Sequence, residues 1–168
     1  MNGNRSHLEI ERKFLVRSEA WRTEARCATR MRQGYLNHEQ HCSVRVRIAG
    51  DSAWLNLKGV TIGAQRLEFD YPIPLADAHR MLDTLTCKPL IEKTRHLVDV
   101  GGHTWEVDVF EGANAGLVVA EIELDDPDEP FEKPAWVGEE VTHDPRYYNT
   151  CLASHPYRDW RDPPSACD

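Results

Sequence analysis

The sequence predicts a mainly β domain of the α+β class, in which eight antiparallel strands carry a few flanking helices. Three observations support this class. Eight stretches alternate apolar and polar residues, as half-buried strands do. Short glycine-containing turns such as AGDS, VTIG and VGGH join several of these stretches, and antiparallel hairpins need turns of this kind. Segments with helical spacing are fewer than the alternating ones.

The predicted strands follow one another along most of the chain. In the first, LEIERKFLV, the side chains of Glu9, Glu11 and Lys13 fall at every second position and so share one face. The remaining predicted strands are residues 31–37, 42–50, 53–59, 65–73, 91–98, 104–110 and 117–124. Most of them repeat the same division, so the predicted sheet has one charged face and one apolar face.

Three helices are predicted beside the strands. Residues 18–28, SEAWRTEARCA, offer Ser18 as an N-cap, and residues 75–85, LADAHRMLDTL, place apolar side chains at helical spacing. A third helix is expected over residues 144–155, which begin with an Asp-Pro pair. We therefore expect a single domain over residues 1–155, followed by a loosely ordered tail over residues 156–168.

Composition narrows the classes of function. The formal net charge of −8 over 168 residues argues against a general nucleic-acid binder, which would carry a basic excess. No apolar run reaches the length of a membrane span, and no signal-peptide core is visible, so no membrane association is expected. The five cysteines are an odd number without a C-x-x-C pair, and they indicate a reducing cytoplasm. The oligomeric state stays open, a homodimer included.

The charged face can be placed in two ways. Its cations are Lys13, Arg45, Arg47, Lys58, Arg66, Lys93 and Arg95, and its anions are Glu9, Glu11, Glu68, Asp70, Glu106, Asp108, Glu121 and Glu123. Either the apolar faces meet as a sandwich core with the charges in water, or eight strands close into a barrel with the charges inside. A charged interior is costly unless the charges interleave and a multivalent ligand completes the neutralisation. The periodicity alone does not choose between these arrangements.

The kinds of residue on the charged face favour a polyphosphate ligand. Arg45 and Arg47 form a close pair, and guanidinium groups match the geometry of phosphate oxygens. E-x-E pairs stand on the first and last predicted strands. If those strands are neighbours, four carboxylates converge into the oxygen-rich surroundings that Mg²⁺ or Mn²⁺ prefers. Arginines together with a carboxylate-bound divalent ion are the usual equipment for handling polyphosphates.

An ordered series of motifs resembles the CYTH superfamily, the triphosphate tunnel metalloenzymes. The motifs, from residue 8 to about residue 153, are EIERKFLV, RQGYL, VRVR, LKG, RLEFDYPI, EKTRH, WEVDVF, VVAEIEL and GEEVTHDPRYYN. The resemblance implies an eight-stranded antiparallel closed barrel whose tunnel binds a triphosphate with one or two divalent ions, Mg²⁺ or Mn²⁺. Chains that open with EIERKFLV look most like short bacterial inorganic tripolyphosphatases, although such proteins often carry an adenylate-cyclase label.

The resemblance also assigns roles to individual residues. The metal-binding residues it implies are Glu9, Glu11, Glu121 and Glu123. The phosphate-binding residues it implies are Lys13, Arg45, Arg47, Lys58, Arg66, Lys93 and Arg95. The catalytic residues are expected to be Lys13, Tyr35 and Glu123, with Tyr35 pairing with the lysine to orient water. The roles of Glu68, Asp70, Asp108 and Arg146 stay open, and Arg146, Tyr147 and Asn149 are expected to cap one mouth of the tunnel.

The function expected on these grounds is metal-assisted hydrolysis of a small-molecule triphosphate, inorganic tripolyphosphate, to pyrophosphate and phosphate. The alternatives are a class IV-type adenylyl cyclase and a nucleoside or thiamine triphosphatase, both of which would use the same site. A binding protein without turnover is disfavoured, because capture of an anion needs no metal and both E-x-E pairs are present.

Overall fold

The computed structural model describes residues 7–37, 39, 41–60, 62 and 65–160 of the chain. Nine strands and two α-helices lie in this part. The strands are β1 (Leu8–Val16), β2 (Cys27–Tyr35), β3 (Cys42–Ala49), β4 (Ser52–Gly59), β5 (Gln65–Pro72), β6 (Ile91–Val100), β7 (His103–Phe110), β8 (Val118–Glu123) and β9 (Val137–Glu140). The helices are α1 (Leu75–Thr84) and α2 (Asn149–Ser154). Neither helix has the length and apolar character needed to cross a bilayer.

Eight of the strands close into a barrel, which confirms the predicted fold class. The sheet runs in the order β5-β4-β3-β2-β6-β7-β8-β1-β9, and a further pairing of β5 with β1 completes the circle. Each pair of neighbours is antiparallel. The ninth strand, β9, was not predicted from the sequence. It is four residues long and pairs only with β1.

Along one of its edges, strand β1 changes from one pairing partner to another. On one edge, β5 pairs with β1 only over residues Leu8–Ile10, whereas β9 pairs with it at Phe14 and Val16. Between these two pairings, the backbone amide of Lys13 donates to Thr142 Oγ1 at 3.0 Å. The segment that follows β9 therefore completes the wall beside the charged residues of β1.

The largest hydrophobic cluster lies outside the barrel, between its outer face and the segments that cover it, whereas a second cluster, around α2, includes inner-face residues such as Ile91 and Phe110. The main cluster consists of Ile10, Phe14, Trp21, Val98, Trp105, Val107, Ala120, Ile122, Leu124, Trp136 and Val137. Trp105 is central to it, with ring centroids 5.4 Å from Phe14 and 5.8 Å from Trp136. Burial of a side chain such as Phe14 stabilises the fold by roughly 1.5–3 kcal/mol. Because the apolar faces are buried here, the charged faces must line the interior.

Two further clusters cover the rest of the barrel. Helix α1 packs on β3 and β4, where Ala78 and Leu82 are fully buried with Val46. Helix α2 buries Leu152 in a cluster that Tyr157 and Trp160 also contact. Residues 156–160, in the predicted tail, are therefore packed against the rest of the domain, and residues 161–168 of that tail lie outside the described residues.

The prediction of a helix over residues 18–28 was wrong in kind and length. Glu19–Thr23 form a single 3₁₀ turn, and the side chain of Ser18 makes no capping hydrogen bond. Trp21 within this turn is fully buried and packs edge-on against His96. The chain then enters β2 at Cys27, four residues before the predicted strand start, because pairing with β6 extends that far. The predicted third helix is a short 3₁₀ turn followed by α2.

Candidate active site

The inner faces of the barrel strands form a tunnel lined by charged side chains. An inner cavity of about 200 Å³ lies within it, and a larger chamber adjoins this cavity. Every residue of the predicted catalytic, phosphate-binding and metal-binding sets lines one of these two spaces or both. The strand period of two achieves this, since it turns every second side chain of each strand inward.

On the wall formed by β6, β7 and β8, the cations already have carboxylate partners. Arg95 donates from Nε to Asp108 Oδ1 and from Nη2 to Glu121 Oε2, both at 2.7 Å, and it also pairs with Glu106. Lys93 pairs with Asp108, whose side chain is fully buried. Burial lowers the pKa of Lys93. Burial also acts to lower the pKa of Arg95, but Asp108, Glu121 and Glu106 together outweigh it and the pKa is raised. Asp108 is therefore a salt-bridge partner inside the tunnel.

Lys13 and Tyr35, two of the predicted catalytic residues, are both held in their protonated forms. Lys13 Nζ pairs with Glu121 and lies 3.3 Å from Glu11 Oε1. Burial alone would lower the pKa of Lys13, but these two carboxylates outweigh it and the pKa is raised. Burial also raises the pKa of Tyr35, which stands opposite Arg45 in the β2–β3 register. Both groups can donate a hydrogen bond at neutral pH, and neither is a general base there.

A second set of ion pairs joins β1, β4 and β5. Lys58 Nζ lies 2.9 Å from Glu9 Oε1 and 3.0 Å from Glu68 Oε1, and Arg66 also pairs with Glu9. Burial raises the pKa of Glu9, but Lys58 and Arg66 outweigh it, so the pKa lies well below its ordinary value. For Glu68, burial and a hydrogen bond with Glu9 raise the pKa to about 7. Lys58 is thus shared between two carboxylates of different acidity.

The β3 wall differs from the other two, because its arginines are not matched by close carboxylates. Arg45 donates from Nε to Asn56 Oδ1 at 3.1 Å. Among the described residues, the buried atoms Arg45 Nη2 and Arg47 Nε have no hydrogen-bond partner. The carboxylate oxygens of Glu68 and Asp70 lie 3.9 and 3.8 Å from the Nη2 atoms of Arg45 and Arg47. Burial is the larger cause that lowers the pKa of Arg47, and repulsion from Arg45 lowers it further. This wall therefore favours an incoming anion.

The four predicted metal ligands face the tunnel, and two of them form a like-charged pair. Glu11 stands directly opposite Glu123 in the β1–β8 register. Burial raises the pKa of Glu123, and Glu9 and Glu11 raise it further. Carboxylates directly opposite each other on a sheet destabilise it unless a cation lies between them. The donor set is made of carboxylate oxygens alone, and it fits a hard divalent cation.

The four predicted metal ligands are not already arranged around a common point. Among the described residues, no group of three or more histidine, cysteine, aspartate or glutamate side chains is positioned to hold a metal ion. Glu9 and Glu121 are occupied by the cations described above. Binding of a cation by all four glutamates would therefore require Lys58 and Lys13 to give up these carboxylates, and phosphate oxygens could take their place.

The chamber at the mouth of the tunnel has a volume of about 780 Å³, and it was not predicted from the sequence. It shares Glu11, Arg45, Lys58, Arg66 and Asn149 with the inner cavity. Its outer lining is mostly neutral and includes Asn37, Ser43, Cys87, Thr142, His143, Tyr148, Thr150 and Cys151. Lys13, Arg45, Lys58 and Arg66 of the tunnel also line the chamber, but beyond them its described outer lining includes no arginine or lysine, and Glu39 adds an anion. The chamber is formed by α2 and by loops between strands, which the alternating pattern does not describe.

The C-terminal segment expected to cap the tunnel contributes mainly packing. Tyr147 is buried, whereas Arg146 points outward, donates to Asp144 Oδ2 at 2.6 Å and lies over the Trp160 ring. Asn149 is the one of the three predicted capping residues that lines the tunnel.

Comparison with known proteins agrees with the fold and the tunnel. The CYTH domain family matches residues 7–148. An inorganic triphosphatase of Acetivibrio thermocellus is 46% identical over 154 residues, which cover 92% of this chain and 98% of that protein. An inorganic triphosphatase of Nitrosomonas europaea is 36% identical over 149 residues, covering 86% of this chain and 96% of that protein. The chain therefore belongs to the CYTH family.

Solved structures show the same architecture. The crystal structure of an inorganic triphosphatase superposes with a TM-score of 0.63 at 32% identity, covering 86% of this chain and 93% of that one. A protein from Hippeastrum, described as a putative adenylyl cyclase with a dominant triphosphatase activity, superposes with a TM-score of 0.54 at 15% identity over 71% of this chain and 81% of that one. At that identity the likeness shows the fold alone.

Proposed function

We propose that this chain is a divalent-metal-dependent triphosphatase that hydrolyses inorganic tripolyphosphate to pyrophosphate and phosphate inside the tunnel. The observation that carries this proposal is the β3 wall, where Arg45 Nη2 and Arg47 Nε are buried without acceptors among the described residues. Buried donors of this kind are costly unless a ligand satisfies them. The two relatives named inorganic triphosphatase, at 46% and 36% identity, support the same substrate.

The cations of the tunnel differ in how readily they can bind phosphate. Arg45 and Arg47 donate first to phosphate oxygens, because they give up no strong ion pair to do so. Lys58 and Arg66 reach the substrate once phosphate oxygens replace Glu9, and Lys13, Lys93 and Arg95 line the rest of the path. Charged hydrogen bonds of this kind contribute about 1.5–3 kcal/mol each, and they stabilise the charge that develops on the leaving pyrophosphate.

The glutamates Glu9, Glu11, Glu121 and Glu123 would hold one or two divalent ions, Mg²⁺ or Mn²⁺. Such an ion supplies Lewis-acid neutralisation of phosphate oxygens in this site. If Glu9 and Glu121 held such an ion, Lys58 and Lys13, which now pair with them, would be free to donate to the substrate. The ion pairs of the tunnel thus hold the cations inside the barrel in the absence of substrate, at a cost that substrate binding offsets.

The chemical step is attack of water on a terminal phosphorus of the substrate. The new P–O bond forms to the water oxygen, the bridging P–O bond breaks, and pyrophosphate leaves with the electron pair of that bond. We assign acceptance of the proton from water to Glu123, because its carboxylate lines the inner cavity and keeps access to solvent at the end of β8. Lys13 and Tyr35, both protonated, donate to the reacting phosphate or orient the water.

The mouth chamber favours a second candidate activity at the same site. Its volume of about 780 Å³ and its neutral outer lining leave room for an organic group on a triphosphate whose phosphates lie in the tunnel. A nucleoside triphosphatase or a class IV-type adenylyl cyclase would use this room. We place tripolyphosphate first because the described lining of the chamber offers no cation beyond those at the tunnel itself.

We also propose a cytoplasmic location. The four described cysteines, Cys27, Cys42, Cys87 and Cys151, are free thiols. Free cysteines at this number persist most readily in a reducing compartment.

The proposal is tested by measuring phosphate and pyrophosphate release from tripolyphosphate with Mg²⁺ or Mn²⁺. We expect turnover with either ion and none in EDTA. The double variant Arg45→Gln, Arg47→Gln should lower kcat/KM by about 10²- to 10⁴-fold, because two charged hydrogen bonds are lost. The control is Arg32→Gln, on the outer face of β2, which should leave kcat/KM unchanged. Turnover in EDTA, or an unaffected double variant, would contradict the proposal.

A further inference from the structure

A third donor, on the strand next to the β3 wall, has no role in the family resemblance or in the mechanism above. Gln33, on β2, is 1% exposed, and its Nε2 is buried with no acceptor among the described residues. The side chain lines the inner cavity. An amide is neutral, so the charged pattern that identifies the other tunnel residues does not include it. A buried amide donor that faces a polar cavity is satisfied by whatever occupies that cavity.

The strand register places Gln33 beside the arginines that lack acceptors. It stands directly opposite Arg47 on β3 and opposite Ile91 on β6. Side chains paired in this way on one face of a sheet lie within contact distance of each other. Lys93 follows two residues after Ile91 on the same inner face. The amide of Gln33 thus lies between a cation of β3 and a cation of β6.

The backbone on either side fixes this orientation. Gly34 follows Gln33 in β2. A Cβ atom at this position would be on the outer face and would come within 2.8 Å of Leu90 Cδ2 and of the Thr86 side chain. The close contact at Gly34 holds β2 against the segment between α1 and β6. Tyr35, the next inward residue, is buried and its carbonyl accepts from the Cys87 amide at 2.9 Å. Gln33 is therefore directed into the tunnel by its neighbours rather than by a hydrogen bond of its own.

A neutral donor suits this position better than another cation. Burial and, after it, repulsion from Arg45 already lower the pKa of Arg47, and burial lowers the pKa of Lys93. A further positive charge between them would add repulsion in the absence of substrate. An amide N–H adds a hydrogen bond to a phosphate oxygen without that repulsion. A carboxylate there would repel the substrate.

We propose that Gln33 is a substrate-binding residue, whose Nε2 donates to a non-bridging oxygen of the phosphate held by Arg45 and Arg47. The inference rests on the proposed function, and it adds a residue to the site. Gln33 and Arg47 line only the inner cavity, whereas Arg45 lines both spaces. The phosphate that Gln33 contacts is therefore the one farthest from the mouth chamber, the terminal phosphate of the substrate.

The test compares Gln33→Met and Gln33→Glu with the wild type, and Arg32→Gln again serves as the control on the outer face of β2. Methionine keeps the length of the side chain but has no donor, and glutamate keeps the shape but replaces the donor with an anion. We measure kcat/KM for tripolyphosphate with Mg²⁺, and the melting temperature of the metal-free, ligand-free protein. We expect kcat/KM to fall about tenfold in Gln33→Met and at least a hundredfold in Gln33→Glu.

The melting temperature distinguishes binding from a structural role. Gln33→Met should melt at the same temperature as the wild type or higher, because it removes a buried donor that has no protein acceptor. A Gln33→Met variant with wild-type kcat/KM would overturn the proposal, as would a melting temperature that falls together with activity. Equal losses in Gln33→Met and Gln33→Glu would also overturn it. If the wild type releases no phosphate from tripolyphosphate while it stays folded, the proposed function itself fails, and the inference with it.

Discussion

Glu11 and Glu123 face each other directly across β1 and β8, with both carboxylates on the inner side of the barrel. Two like charges in this relationship repel, and the pKa of Glu123 is raised by burial first and then by Glu9 and Glu11. Lys13 and Arg66 lie 3.3 and 3.8 Å from Glu11 and offset only part of this repulsion. The pair is the part of the site that gains most from an added divalent cation.

Removal of the charge at Glu11 should separate activity from stability. Glu11→Gln keeps the size of the side chain but removes a ligand for the ion, so we expect kcat for tripolyphosphate to fall by orders of magnitude. The free energy of unfolding of the metal-free protein should change by about 1 kcal/mol or less, since relief of repulsion from Glu123 offsets the lost attraction to Lys13. Steady-state kinetics and urea unfolding measure the two quantities.

The same variant also reports on metal binding. Mg²⁺ or Mn²⁺ should raise the melting temperature of the wild type and raise that of Glu11→Gln much less, because a ligand that binds the folded state stabilises it. The matched control is Glu139→Gln, an exposed residue on β9 outside the tunnel. An ion that stabilises Glu11→Gln as much as the wild type would rule out Glu11 as a ligand.

Two arginines of the predicted phosphate-binding set should respond differently to the same substitution. Arg95 pairs with Asp108, Glu106 and Glu121, so Arg95→Gln removes the cation beside Glu106 and one of the two cations beside each of the buried Asp108 and Glu121. We expect it to destabilise the protein by about 3–5 kcal/mol. Arg47→Gln breaks no close ion pair and should lower kcat/KM at least tenfold with little loss of stability. Urea unfolding and steady-state kinetics on both variants test this difference. Equal losses of stability in Arg95→Gln and Arg47→Gln would contradict it.

Glu106 should make the stability of the metal-free protein depend on pH. Burial raises its pKa, Arg95 opposes this, and Glu121 and Asp108 add to it, which gives a pKa of about 7. The value in an unfolded chain is about 4.3. The folded protein therefore binds the proton more tightly, and the stability that protonated Glu106 contributes is lost as pH rises through about 7.

Glu106→Gln mimics the protonated acid at every pH and isolates this contribution. Relative to the variant, the wild type should lose up to about 3 kcal/mol of unfolding free energy between pH 5 and pH 8. Urea unfolding of both proteins in EDTA, at intervals of one pH unit, measures the difference. Parallel curves for the two proteins would show that Glu106 does not titrate in this range.

Much of the barrel could be predicted from the sequence because alternation in a strand is a local property. The bounds of β1 agree with the prediction, and those of β3, β4, β5 and β7 agree within one residue. The direction of the charged faces could not be read from alternation, which is identical for a sandwich and a barrel. It depends on Trp21, Trp105 and Trp136, which cover the outer face from distant parts of the chain.

Two features of the proposed site were not predicted from the sequence: Gln33, which carries no charge, and the mouth chamber, which is not built from a periodic residue pattern. Gln33 is neutral and lies between charged neighbours in space but not in sequence. The one available signal was its position two residues before Tyr35 in RQGYL, which places both side chains on one face. The mouth chamber depends on how α2 and the loops fold back, and nothing in the strand pattern describes that. The roles of the predicted ligands themselves stay predictions.

The most direct test of the central claim compares tripolyphosphate with ATP as substrates of the wild-type enzyme. Tripolyphosphate presents charged oxygens at both ends to the tunnel, whereas ATP replaces one terminal oxyanion with an ester and places its nucleoside in the mouth chamber, whose described outer lining holds no arginine or lysine. The loss of one charged hydrogen bond, about 1.5–3 kcal/mol, corresponds to roughly ten- to a hundredfold. We therefore predict that kcat/KM for tripolyphosphate exceeds that for ATP at least tenfold, with phosphate and pyrophosphate as products and no cyclic AMP. A higher kcat/KM for ATP, or accumulation of cyclic AMP, would contradict the tripolyphosphatase account.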